Sequence, residues 1–463
     1  MNDVPNPASP ASRRILAGLS LSTLMPSLDT SIANAGLPTL AQSFSATFAQ
    51  VQWIVLAYLL AITAAIVGAG RLGDLLGRRR VLVAGIALFT LASLACGLAP
   101  TLAVLVAARV LQGLGAAAML ALTVALVGET LPKDRTGRAM GLLGTMSAIG
   151  TTLGPSLGGL LMAGVGWRAI FLVNVPLGLV NLWLAHRWLP RAPRRTATPP
   201  RLDIAGTALL AATLAAYALA LTSHRPGLLG AAAGAAALFV LVERRSAAPL
   251  VRLAMLRDPA LGASLANSAL VATVIMTTLV VGPFYLARAL ALPAAIVGLV
   301  LSAGPLVSAL AGAPAGRLVD RIGAARVTVG GLLAMLAGAG ALAALPVRAG
   351  VAGYVGAVVV MTAGYASFQA ANNTALMSRV DAAQRGLVSG MLSLSRNLGL
   401  ITGTATMGAL FAAATGPAAS DPGSVSAGLH MTFGTGALLI ALALAIAARG
   451  HAWARRAAGM TSA

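Results

Sequence analysis

The chain is poor in nearly everything a soluble protein uses to stay in water. Only 9% of its 463 residues are charged, with 11 acids and a single lysine, Lys133, against a hydrophobic fraction of 58% and a mean hydropathy of +0.88. A soluble domain carries about 25% Asp, Glu, Lys and Arg, so most of this chain must face lipid or other helices. Cysteine is reduced to Cys96 inside an apolar run, which excludes an internal disulfide. The four histidines, His186, His224, His430 and His451, are scattered and form no metal-ligating pair. No metal and no cofactor are expected. Aromatic residues make up only 4%, few for a pocket built to hold flat cations.

What the chain has instead is glycine, 52 residues of it, and long apolar runs. Small residues let membrane helices approach closely, so glycine here argues for packing. About 20 apolar residues cross a bilayer core. On that basis spans are predicted near 15–38, 52–70, 81–100, 102–128, 139–163, 169–189, 203–222, 226–242, 260–287, 293–315, 326–346, 351–376, 387–414 and 428–448. The first apolar run is too long for a signal core and lacks a small-residue cleavage site, so no cleavable signal is expected.

The arginines test this map independently, because cytoplasmic loops collect basic residues. With the N-terminus inside, 26 of the 32 basic residues fall in inner segments. The outer loops hold only Arg168, Arg225, Arg288 and Arg348, and Arg109 and Arg396 lie within spans. Both termini are therefore expected in the cytoplasm. The net charge of +21 is accounted for by topology, and no nucleic-acid partner is expected.

Two near-copies, GRLGDLLGRRR at 70–80 and GRLVDRIGAAR at 316–326, mark an internal repeat. The first joins spans two and three, the second spans ten and eleven. Two six-helix bundles with an inserted helix pair satisfy that shift. The predicted organisation is a flexible cytoplasmic tail at 1–12, a bundle at 13–189, a cytoplasmic linker at 190–202, the inserted pair at 203–243, a connector at 244–258, a second bundle at 259–448 and a tail at 449–463. Duplicated helical bundles of this kind are a building plan of secondary transporters.

Several segments resemble one family. LDTSIANAGLP (28–38), VQWIVLAYLLA (51–61), the 70–80 turn, RVLQGLGAA (109–117), GTTLGPSLGG (150–159), WRAIFLVNVPLG (167–178) and GLVSGMLSLSRNLG (386–399) are similar, in order, to motifs of the major facilitator superfamily. More narrowly, they resemble its fourteen-helix drug:proton antiporter family. The resemblance implies an all-α integral membrane fold of 14 transmembrane helices in a bacterial-type cytoplasmic membrane. It also implies alternating access, with a proton gradient driving export of small amphiphilic molecules, drugs or toxic compounds among them. Export of one endogenous metabolite, or a non-transporting sensor on the same fold, are the alternatives. The expected partners are a small-molecule substrate, protons and the bilayer, with the protein a monomer. GPSLG at 154–158 and GAGRLG at 68–73 formally match enzyme motifs, but both need a strand–turn–helix context that a membrane span cannot supply.

The candidate residues fall into four groups. Asp29 is the one acid well inside a span, where burial of an ionisable group is costly and marks function. It lies about 21 Å from the inner face at 1.5 Å per residue, a depth that Arg109, on span four, matches. The pair is the expected proton-coupling site, with Gln112 placed to orient Arg109. The two turns form an expected cytoplasmic gate or latch: Gly70, Arg71, Gly73, Asp74, Gly77, Arg78, Arg79 and Arg80, then Gly316, Arg317, Asp320, Arg321 and Gly323. Gly150, Gly154, Pro155, Gly158 and Gly159 form the antiporter motif, three of the glycines recurring every fourth residue on one helix face. Asn34, Gln52, Tyr58, Tyr285, Gln369 and Asn372 are the polar span residues expected to line a cavity. Arg396 is read as a side chain that snorkels to the interface. With no second intramembrane acid and few aromatics, a neutral, monocationic or zwitterionic amphiphile fits better than a dication.

Overall fold

Apolar runs of this length can satisfy their backbone polar groups in lipid only by folding as helices, and helices dominate the described residues. The structure, a computed structural model, describes residues 10–130, 133–190, 204–223, 227–245, 258–378, 385–416 and 421–460. Two compact units divide the chain: Met1–Leu250 with Ala294–Gly298, and Val251–Pro293 with Leu299–Ala463.

The first unit contains α1 (Pro10–Ala35), α2 (Trp53–Leu76), α3 (Arg78–Gly97), α4 (Leu102–Thr130), α5 (Lys133–Gly164), α6 (Asn174–Trp188), α7 (Ile204–Ser223) and α8 (Gly227–Arg245). The second contains α9 (Pro259–Val280), α10 (Ala303–Ile322), α11 (Ala324–Ala343), α12 (Gly350–Met377), α13 (Arg385–Thr402) and α14 (Pro422–Met460). Among the described residues, thirteen helical segments are long and apolar enough to cross a membrane. The expected span at 139–163 forms as α5, 32 residues long, but is not among the thirteen. Its Gly, Ser and Thr residues lower its hydropathy because one face packs along α1 rather than lipid.

The inserted pair, α7 and α8, groups with the first unit through packing of α7 on α2. Where a tail is expected from 449, α14 continues as helix to Met460. Most of the predicted linker and connector, and residues 1–9 of the N-terminal tail, lie outside the described residues.

The repeat is visible in how each unit packs. In the first, a Cβ on Gly115 would lie 2.8 Å from Gly85 O, and one on Gly154 would lie 2.9 Å from Ile32 N. In the second, a Cβ on Gly364 would lie 2.5 Å from Gly331 O, and one on Gly403 would lie 2.5 Å from Thr273 O. The same helix pairs, third with fourth and first with fifth of each bundle, thus meet through glycine. Gly77 (φ +100°) and Gly323 (φ +84°), the last glycines of the two copied turns, both take left-handed backbone that ends one helix and starts the next.

Candidate functional site

The centre of the first unit is built on α1, α2, α3, α4 and α6. Pro26 interrupts the α1 ladder one turn before Asp29, and its carbonyl accepts hydrogen bonds from Thr30 Oγ1 at 2.8 Å and Tyr58 Oη at 3.3 Å. Gly113 lets α4 approach α2, since a Cβ there would lie 2.7 Å from Tyr58 O. That close approach allows Arg109 Nε to donate to Ile54 O at 3.0 Å.

Asp29 and Arg109 are both fully buried and form an ion pair through Arg109 Nη1 and Asp29 Oδ2. The other carboxylate oxygen accepts from Gln112 Nε2 and from Asn174 Nδ2, each at 2.8 Å. Gln112 Oε1 accepts from Arg109 Nη1 at 2.6 Å, and its amide also donates to Ser93 Oγ at 2.8 Å. The Arg109 guanidinium stacks 4.1 Å from the Tyr58 ring centroid, with Phe171 at 5.8 Å. Each of the three side chains bonded to Asp29 donates to it, which leaves the carboxylate oxygens as acceptors throughout.

The expected pair therefore meets, with Gln112 bridging it and Tyr58 covering it. Neither charged side chain is exposed. Asn174 and Ser93 were missed by sequence reasoning. Asn174 had a signal, a polar residue opening an apolar helix inside WRAIFLVNVPLG; Ser93, one of many small hydroxyls in spans, had none.

The expected antiporter-motif glycines find a partner in α1. A Cβ on Gly150 would lie 2.6 Å from Leu24 O, and one on Gly158 would lie 2.7 Å from Ile32 Cγ1. Serines bind the same seam: Ser27 Oγ to Ser147 Oγ, and Ser31 Oγ donating to Thr151 O, each at 2.7 Å. Gly159 faces the other way, against Ala294 and Ala295 of the short segment grouped with this unit.

At the 70–80 turn, Arg78 pairs with Asp74 at 2.9 Å and with Glu129, at the end of α4, at 3.0 Å. It also donates to Ala125 O at 3.3 Å. Gly73 packs under Leu122, and Arg79 donates to His186 O. Arg71 and Arg80 flank the cluster. The turn thus clamps α2, α3 and α4 within one unit. In the copy, Ala324 stands where Arg78 would be and, by the offset that matches Gly115 with Gly364, Ser378 where Glu129 would be. Among the described residues, Arg317, Asp320 and Arg321 take part in no recorded ion pair. Gly70 and Gly316 have open space around them.

The remaining cavity candidates separate. Asn34 is buried and donates to Thr30 O at 2.9 Å; Gln52 is buried at the start of α2. Tyr285 is buried in a π-helical turn, Tyr285–Ala289, stacked on Tyr354 at 5.8 Å between centroids. Gln369 and Asn372 do line a cavity, of about 320 Å³, inside the second unit. No group of three or more metal-ligating side chains occurs among the described residues.

A membrane-spanning helical repeat built around a buried ion pair is the plan of a secondary transporter, and the similarities to known proteins make the chain a transporter and not an enzyme. The chain belongs to the Major Facilitator Superfamily, whose model matches residues 19–404 and again 263–458. It is 34% identical to the Multidrug resistance protein Stp of Mycobacterium tuberculosis (strain CDC 1551 / Oshkosh), over 86% of this chain and 75% of that one. It is 28% identical to the Riboflavin transporter RibZ of Clostridioides difficile (strain 630), over 86% of this chain and 88% of that one. In fold it is similar to a bacterial homolog of the human lysosomal transporter Spinster, in an inward-facing and occupied conformation, with a TM-score of 0.72 and 17% identity over 96% of this chain and 97% of that one.

Proposed function

We propose that the chain is a proton-coupled exporter of small amphiphilic molecules, working by alternating access in a bacterial cytoplasmic membrane with both termini inside. The observation that carries this reading is the Asp29 cage: a carboxylate buried in a membrane span, held by three donors of which one is a guanidinium. An ionisable group inside a membrane span marks function by its cost, and a carboxylate is a group that can take up and release a proton. A proton on Asp29 displaces one of these donors or turns the Asn174 amide over to accept it, and it removes the charge that holds Arg109, so protonation loosens the cage and lets Arg109 and Gln112 turn. Asp29 sits on α1, which the glycine seam allows to move along α5. Proton binding is thereby coupled to a helix that can shift as a body.

Similarity to Stp, named for multidrug resistance, supports efflux as the direction and breadth as the character of the cargo. Similarity to RibZ, named as a riboflavin transporter, supports the second reading, a carrier dedicated to one compound. The proton gradient is the only energy source required, and a monomer carries a complete Asp29 cage.

The test is flux of a fluorescent amphiphile into inverted vesicles under an imposed pH gradient, acid inside. Wild-type protein is expected to accumulate the dye against its gradient. Asp29→Asn is expected to lose that accumulation while still exchanging dye across the membrane without a gradient. Gradient-driven accumulation by the variant at the wild-type rate rejects Asp29 as the coupling group.

A further inference from the structure

The second unit has no counterpart to the Asp29–Arg109 pair, because its apolar helices carry Ile275 and Val358 near the equivalent positions. It has a different polar feature. On α13, Ser389, Ser393 and Arg396 recur at intervals of four and three, which places them on one helical stripe. On α12, Gln369 and Asn373 lie four apart, with Asn372 beside them. Polar stripes on membrane helices are costly against lipid and belong to an interior or a water-filled cavity. Here they converge: both stripes, with Ser268 of α9, line the cavity of about 320 Å³. Its remaining wall is apolar and includes Phe368 and Leu392.

The charge balance of that lining is one-sided. Arg396 is its only ionisable side chain apart from the phenol of Tyr365, and no carboxylate lines it. Arg396 is exposed, and it takes part in none of the ion pairs described above. A snorkelling arginine would run along the lipid-facing side, whereas this one lies on the wall of a half-open cavity with polar groups on two of its helices. A single guanidinium over neutral amides and hydroxyls repels cations and matches the fork of a carboxylate. The volume is at the small end of ligand pockets, enough for a head group and its adjoining ring.

We propose that this cavity seats the carboxylate of an anionic or zwitterionic amphiphile, with Arg396 as its counter-charge and Gln369, Asn372 and Asn373 as neutral hydrogen-bonding partners. The proposal rests on the reading that the chain carries amphiphiles, and it names their chemical class. It puts recognition of cargo charge in the second unit and proton exchange in the first.

The probes are rhodamine B, which has a free carboxylate, and its ethyl ester, which has the same rings and none. Binding of each to the full chain in phosphatidylcholine nanodiscs is read by fluorescence anisotropy. The acid is expected to bind at least about tenfold more tightly than the ester, in keeping with one bidentate charge-assisted contact. Arg396→Gln is expected to erase that preference and leave ester affinity unchanged, which also shows that the variant is folded; Arg396→Lys retains part of it. Equal affinities, a tighter ester, no binding of either dye, or an unchanged preference in Arg396→Gln each overturn the proposal. So does displacement of the acid by phosphatidylglycerol added to the nanodisc, which would assign the cavity to a lipid head group. Equilibrium binding needs no gradient, so loss of proton-driven flux with the Arg396 preference intact counts against coupled export and leaves this site standing.

Discussion

At the scale of single residues, burial inside membrane spans drives the opposite charges on α1 and α4 into one site. An aspartate well inside an apolar run and an arginine at matching depth need no structure to be paired, because lipid leaves them few alternatives. Gln112 was legible from its helical offset of three from Arg109. Asn174 and Ser93 come from helices whose register against α1 the sequence does not specify, and their contributions depend on that register alone. The cage makes a sharp energetic prediction. Arg109→Gln leaves the Asp29 carboxylate buried without a counter-charge, a loss of about 3–5 kcal/mol. Asp29→Asn combined with Arg109→Gln removes both charges and is expected to unfold at a higher temperature than Arg109→Gln alone, by recovering most of that loss. Equal unfolding temperatures for the single and double variants would show that the two side chains are not energetically coupled.

At the scale of elements, spacing predicted the glycine face of α5 but not which helix it meets. A recurrence of four states that Gly150, Gly154 and Gly158 share a face; only packing shows that α1, the helix of Asp29, lies against it. The seam separates two glycines on one helix. A side chain at Gly154 would lie 2.5 Å from Ser31 Cβ and 2.9 Å from the backbone of Ile32, whereas Gly144 has nothing within 4 Å. Gly154→Leu is expected to cost about 1–3 kcal/mol through forced separation of α1 and α5, and to lower flux by displacing Asp29 from its donors. Gly144→Leu is expected to stay within about 0.5 kcal/mol of wild type. Unfolding temperature and vesicle flux, measured on both, decide the matter; equal effects would mean the seam does not hold the pair. The turn at 70–80 shows the opposite limit of sequence reasoning. Its copy at 316–326 preserves the left-handed glycine, which backbone geometry demands, but lacks the arginine that clamps three helices. A repeated string therefore marked equivalent turns without marking equivalent chemistry.

At the scale of the whole molecule, the duplication supplies two units with the same glycine seams and different polar contents, and the charge distribution along the chain sets how they sit in a bilayer. The basic residues assign Arg80 to an inner turn and Arg348 to an outer loop, although both are exposed. The nearly cysteine-free sequence makes this testable without prior engineering. Cys96 is fully buried, so the natural chain is expected not to react with a membrane-impermeant maleimide added to intact cells. Arg348→Cys is expected to label from outside, while Arg80→Cys is expected to label only after the membrane is opened. Both positions lie at helix ends in open surroundings, so accessibility and not local packing controls the result. Labelling of Arg80→Cys in intact cells would invert the topology. It would also place the Arg396 cavity, between the start of α13 and the end of α12, at the outer face, where it would meet cargo on arrival rather than on departure, and the chain would then read as an importer.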